Sequence, residues 1–134
     1  MTEETDLVEA DEYVLRRIVN RDDYINLALK VPVSRLAFEP TRNDTTGISL
    51  FRSLFASPKE VADAGPNPAG YWVAELPVVT ISNLKLTVNP SPRPTGPGGH
   101  CLIPEIRTDT KKVTRGDQLK LAELASARLV FKPA

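Results

Sequence analysis

The sequence predicts an α+β fold: a single compact domain with a small mixed β-sheet and two or three short helices. Three observations carry that expectation. The chain has 134 residues, a usual size for one domain, with 41% hydrophobic and 25% charged residues, as in an ordinary core and surface. Its elements read strand, irregular, strand, helix, strand, helix, strand, strand, helix, strand. That order is neither the strict alternation of a doubly wound fold nor the hairpin rhythm of a sandwich. Five of the prolines fall between Pro90 and Pro104, beside Gly96, Gly98 and Gly99, marking an irregular connector at 89–99.

Residues 1–12 hold Glu3, Glu4, Asp6, Glu9, Asp11 and Glu12 and no basic group. Self-repulsion and low hydrophobicity predict a flexible acidic tail; its sharper use is docking on a basic surface, its own or a partner's. The globular domain is expected over 13–134. Tyr13–Val19 is rich in β-branched residues and reads as the first strand. Asp22–Lys30 has room for a turn or two of helix that must stop before Pro32, and Ser34–Phe38 for another short turn. After the polar stretch Thr41–Gly47, Ile48–Arg52 is a strand with Ile48, Leu50 and Arg52 on one face and Ser49 and Phe51 on the other.

Ser57, Pro58 and Glu60 form a helix start, closed by Gly65. Gly70–Leu76 is the strongest buried-strand pattern. Pro77–Asn83 fits a helix by its apolar spacing at Val78, Ile81 and Leu84, which leaves Leu84–Val88 as the next strand. His100–Ile103 is another strand. The last helix starts near Thr114, with Leu119, Ala122 and Ala125 as its apolar stripe, and Ala127–Phe131 closes the sheet.

Composition excludes several function classes. Seventeen basic and seventeen acidic residues give no net charge, so the whole chain is not a nucleic-acid coat. One cysteine, Cys101, allows no internal disulfide, and one cysteine with one histidine cannot build a Cys/His zinc site. No metal and no cofactor is expected. The N-terminus lacks a signal-peptide pattern and no apolar run reaches membrane-span length, so a cytoplasmic address without a membrane partner is expected.

With the elements placed, the chain resembles a group of short bacterial proteins with no established activity. The landmarks are Leu15-Arg-Arg-Ile18, Ser34-Arg-Leu-Ala-Phe38, Gly47-Ile-Ser-Leu50, Gly70-Tyr-Trp-Val-Ala74, Pro97-Gly-Gly-His-Cys-Leu-Ile103, Lys111-Lys-Val-Thr114, Leu121-Ala-Glu-Leu-Ala125 and Ala127-Arg-Leu-Val-Phe-Lys-Pro133. The resemblance implies the domain limits and a bacterial source, and no mechanism.

Three places have residues suited to chemistry. His100, the only histidine, follows the Pro/Gly connector and has the pKa range of an acid, a base or a pH sensor; the plainer role is an anchor bonded to a backbone carbonyl. Cys101 beside it points to the opposite sheet face, so the two make no thiol–imidazole pair. Arg52 sits on a strand after a turn carrying Arg42 and Asp44, with Glu75 on the central strand. The third place is the basic cluster at 107–120, where Lys111, Lys112, Thr114 and Arg115 surround a helix start suited to an anion.

The leading expectation is a non-enzymatic protein-interaction module, an accessory part of a multi-component system that binds another protein, with Pro97 and His100 on its recognition loop. The alternative is a small enzyme using His100 with Arg52 or a carboxylate such as Glu39, Asp44, Glu75 or Glu105. The third is anion or nucleic-acid binding through the basic cluster.

Overall fold

A computed structural model of the chain describes residues 2–134. Six strands form one sheet in the order β4-β5-β2-β1-β3-β6: β1 Tyr13–Val19, β2 Ile48–Arg52, β3 Tyr71–Pro77, β4 Asn89–Pro90, β5 His100–Ile103 and β6 Leu129–Phe131. The helices are α1 Pro58–Asp63, α2 Val78–Asn83 and α3 Arg115–Ser126. The fold is α+β, in one compact domain. Every strand pair is antiparallel, so the sheet is narrower in type than the mixed one expected. No connection is built as a strand–helix–strand crossover between parallel neighbours, which parallel pairing requires.

The sheet is covered on both faces. Val14, Ile18, Leu50, Ala74, Leu76, Cys101 and Ile103 point to the larger core, beneath Val78 and Ile81 of α2, Leu121, Ala122 and Ala125 of α3, and Phe38. Leu15, Phe51, Tyr71 and Val73 point the other way, against Val61 and Ala62 of α1. The period-2 alternation of β1, β2 and β3 sorts these residues. At α1 the Ser57 hydroxyl accepts from the Glu60 N–H at 3.2 Å while the Glu60 carboxylate accepts from the Ser57 N–H at 3.1 Å, a complete capping box.

Four segments differ from the sequence reading. No helix forms over 22–30: the Asn26 side chain takes the Ala28 N–H at 3.0 Å and the Asn26 N–H bonds to the Pro32 carbonyl at 2.9 Å, closing a loop instead. Leu84–Val88 is not a strand, because α2 ends in a turn with Lys85 at φ 66° and the Thr87 N–H and hydroxyl bond to the Glu105 carboxylate. Strand pairing begins only at Asn89. In α3 the buried stripe is Gln118, Leu121, Ala122 and Ala125, leaving Leu119 49% exposed.

The fourth difference is the acidic segment, expected to be flexible. In the structure it folds back on the domain: Val8 packs against the larger core, Glu12 is buried, and the Glu4 carboxylate accepts from the Gly99 N–H. The cause is a buried cation that four of its carbonyls and the Glu12 carboxylate surround.

Candidate functional site

That cation is Arg52, fully buried at 0% exposure. It lies on the Leu50 side of β2, the larger-core face, at the end where the strand leaves the sheet. Its Nε and Nη2 donate to the two Glu12 carboxylate oxygens, both at 2.8 Å. Nη1 donates to the carbonyls of Asp6 at 2.8 Å, Glu4 at 3.2 Å and Glu3 at 3.4 Å, and Nη2 to that of Leu7 at 3.4 Å. A guanidinium is a planar fork of five donors, and here the fork is filled by the N-terminal segment. The guanidinium also stands 5.1 Å from the Phe55 ring centroid.

Burial pushes the Glu12 carboxyl up, but the Arg52 hydrogen bonds and charge outweigh it and hold the group below its ordinary 4.5. The same hydrogen bonds raise Arg52. Sequence reading weighs Arg52 as a catalytic candidate against a solvated or salt-bridged strand residue; the structure has the salt bridge, with Glu12 as the partner the sequence did not name. The available signal was its place in the Ile48–Leu50–Arg52 alternation. An inward charge there demands a carboxylate, and the acidic segment is the stretch with no basic partner of its own.

His100 stands on the other sheet face, edge-on to Phe51 with ring centroids 5.5 Å apart, and is 2% exposed. Its Nδ1 lies 2.8 Å from the Ser91 carbonyl and its Nε2 3.0 Å from the Ser49 hydroxyl. A carbonyl only accepts, so Nδ1 carries the proton and Nε2 accepts from Ser49. Desolvation lowers the ring's pKa against the opposing Ser91 bond, and Arg93 and Arg17 lower it further. The neutral ring thus ties Ser91 and the β5 start across the Pro/Gly connector, in which Pro97 is half-buried and 92–96 are exposed. Cys101 points into the larger core, with its thiol pushed up to about 12 by burial.

The residues of the enzyme alternative are therefore not brought together. His100 and Arg52 lie on opposite faces, and Glu75 on β3 is paired with Arg128. Glu39 faces Lys111 at 3.1 Å, Asp44 caps the Thr41 N–H at 2.7 Å and Glu105 holds Thr87. None of these carboxylates bonds to His100.

Part of the basic cluster is committed internally as well. Lys111 pairs with Glu39, and Arg107 with Asp109 at 2.7 Å. The buried Thr114 hydroxyl donates to the Thr110 carbonyl at 2.8 Å and accepts from Gln118 at 3.0 Å. Gln118 also receives Arg35 at 2.8 Å and donates to the Lys111 carbonyl at 2.9 Å. Lys112 and Arg115 are exposed. Gln118 was missed in the sequence because a polar residue at a core-facing helix position reads as surface. Arg16 was missed too: it bridges the separated ends of β1 and β2, donating to the Ser49 carbonyl at 2.7 Å and the Ala37 carbonyl at 2.8 and 3.0 Å. Burial pushes its pKa down to about 10, which leaves it charged at neutral pH.

Among the described residues no buried side-chain nitrogen or oxygen lacks a partner, and no group of three or more His, Cys, Asp or Glu side chains is placed to hold a metal. No described helix is long and apolar enough to cross a membrane. Several large apolar side chains stay exposed, three of them close together. Leu27, Leu29 and Val31 are 60%, 58% and 42% exposed on one short loop. The loop base is closed by pairing of Ile25 with Val33, and Val33 N–H donates to the Ser126 hydroxyl of α3 at 2.9 Å. No family model matches the chain, and comparison with curated proteins and with solved structures returns no match.

Proposed function

We propose that this chain is a protein-interaction module, an accessory component that works by binding another chain and not by turning over a substrate. The observation that carries the reading is the Leu27–Val31 loop. It sets three large apolar side chains in water on a base fixed by hydrogen bonds. Water contact with such side chains is unfavourable by about 25 cal/mol per Å² of apolar surface, so a partner that covers them gains that driving force. Apolar side chains concentrated on one projecting element mark a contact surface more often than scattered ones do.

The sheet edges favour this loop over strand addition as the mode of contact. The edge strands β4 and β6 have only two and three residues, too short to template a partner strand. The enzyme reading has less support, since both His100 nitrogens are engaged in the fold and its ring is buried. The anion or nucleic-acid reading is weakened by the pairing of Lys111 with Glu39 and of Thr114 with Thr110 and Gln118.

A photo-crosslinking side chain placed at the exposed Ala28 tests the proposal in cells of the native host. The expected result is a discrete protein adduct that disappears in Leu29→Asp. Absence of any Ala28 adduct would overturn the reading.

A further inference from the structure

We infer that the partner of the Leu27–Val31 loop is a second copy of this chain, whose groove between α2 and α3 receives it. This rests on reading the loop as the docking element, and it names what that element docks on.

The groove has a volume of about 430 Å³, with an apolar floor from Leu84, Leu124 and Ala127 and charged walls from Lys120 and Glu123. It is large enough for several side chains, in the range of sites that bury small ligands. The loop has the matching form, with Leu27, Leu29 and Val31 around one cation, Lys30. With the apolar side chains on the floor, Lys30 would lie at a rim that carries Lys120 and Glu123, so pairing with Glu123 and away from Lys120 would set the orientation of the loop.

The placement of knob and groove on α3 favours a reciprocal contact. Gln118, Ala122 and Ser126 share one side of the helix: Gln118 meets Arg35, and Ser126 holds the loop base at Val33. Lys120, Glu123, Leu124 and Ala127 share another side, facing α2. The loop and the groove therefore flank the same helix on different sides, with the exposed Leu119 between them. Two copies related by a two-fold axis over this face each insert a loop into the other's groove and bury Leu119 near the centre. Such a self-complementary contact closes as a dimer and does not propagate. The blunt β4 and β6 edges offer no competing route for self-association.

The test is analytical ultracentrifugation of the purified full chain from micromolar to submillimolar concentration, with three charge variants. Wild type is expected to form a dimer. Lys30→Glu and Glu123→Lys are each expected to weaken it about tenfold, and the Lys30→Glu/Glu123→Lys double variant to restore it. Both positions are exposed, so folding is unaffected and circular dichroism checks this. A wild type that stays monomeric throughout overturns the inference. So does a dimer indifferent to both charges, or one that the double reversal fails to restore. If wild type is monomeric while Ala28 still crosslinks to a different protein, the interaction reading stands and only the identity of its partner fails. If it is monomeric and Ala28 captures nothing, both fail.

Discussion

Replacing Glu12 with Gln tests whether the N-terminal segment is part of the folded domain. The substitution keeps size and shape but removes the charge opposite Arg52. One of the two 2.8 Å bonds is lost, because an amide NH₂ cannot accept from the guanidinium. Removing one member of a buried ion pair costs about 3–5 kcal/mol, because the remaining charge is left uncompensated. Four backbone carbonyls still contact Arg52, and glutamine keeps one acceptor oxygen, so the low end, about 3 kcal/mol, is expected. For a chain this long that is a fall in melting temperature of about 10 °C, at about 3 °C per kcal/mol.

The assay is thermal and urea unfolding of Glu12→Gln, Arg52→Met and the double variant. Because the methionine removes the stranded charge, the double variant should be more stable than the sum of the singles by at least about 1 kcal/mol. The acid limb adds a second readout. The folded-state pKa of Glu12 lies below 4.5, so its contribution is fully present above that pH and is lost as pH falls through the folded value. Wild type should thus lose stability below pH 4.5 more steeply than Glu12→Gln. A melting shift below about 3 °C, or singles that simply add, would place the pair among weak surface contacts and refute the reasoning.

Three further outcomes are expected. The single histidine gives an isolated ring-proton NMR signal, whose midpoint should fall below the ordinary 6.5. The unfolded state then takes up its proton first, so this residue removes stability as pH falls below 6.5, and His100→Gln flattens that dependence. Gly47→Ala should destabilise by about 1–3 kcal/mol in urea unfolding, since its φ of 142° strains any side chain and a Cβ would stand 2.6 Å from the Ile103 carbonyl oxygen. Lys111→Ala/Lys112→Ala should leave phosphate binding by calorimetry at baseline and stability within about 1 kcal/mol, because Lys111 is already paired at a partly exposed site.

Local chemistry made much of this fold legible in the sequence. The Ser57–Pro58–Glu60 start, the alternation of β2 and the opposed directions of His100 and Cys101 all follow from contacts within a few residues. What could not be read depends on partners far along the chain. Arg52 binds carbonyls and a carboxylate 40 to 49 positions away, and His100 meets Ser49 across 51. Antiparallel pairing throughout, Gln118 facing inward to meet Arg35, and the loop that replaced a helix at 22–30 are likewise set by tertiary contacts that override local preference. Within the candidate site, the anchoring role of His100 on a backbone carbonyl was legible, whereas its second partner Ser49, the Glu12 partner of Arg52, the inward-facing Gln118 and the bridging Arg16 were not. A lone histidine and a strand arginine look the same in a sequence whether they face substrate or hold two loops to a sheet.

The distribution of satisfied and unsatisfied groups is what supports the proposed binding reading over catalysis. A general base must reach a proton on a substrate, and His100 spends both nitrogens on Ser91 and Ser49 beneath the connector. An anion site at the basic cluster would need its donors to converge, yet Lys111 is paired with Glu39. Thr114 and Gln118 are likewise closed on each other. Among the described residues the buried side-chain polar groups are all partnered, and three side chains each tie a segment in place: Arg52 the N-terminus, the neutral His100 the Pro/Gly connector, Arg16 the separated ends of β1 and β2. Burial of Leu27, Leu29 and Val31, three exposed apolar side chains within five residues, is a large interaction the isolated chain leaves unmade. A hydrophobic surface held on a hydrogen-bonded base loses little conformational entropy on docking, and this is the physical ground for placing the proposed binding function on the loop and not on the histidine.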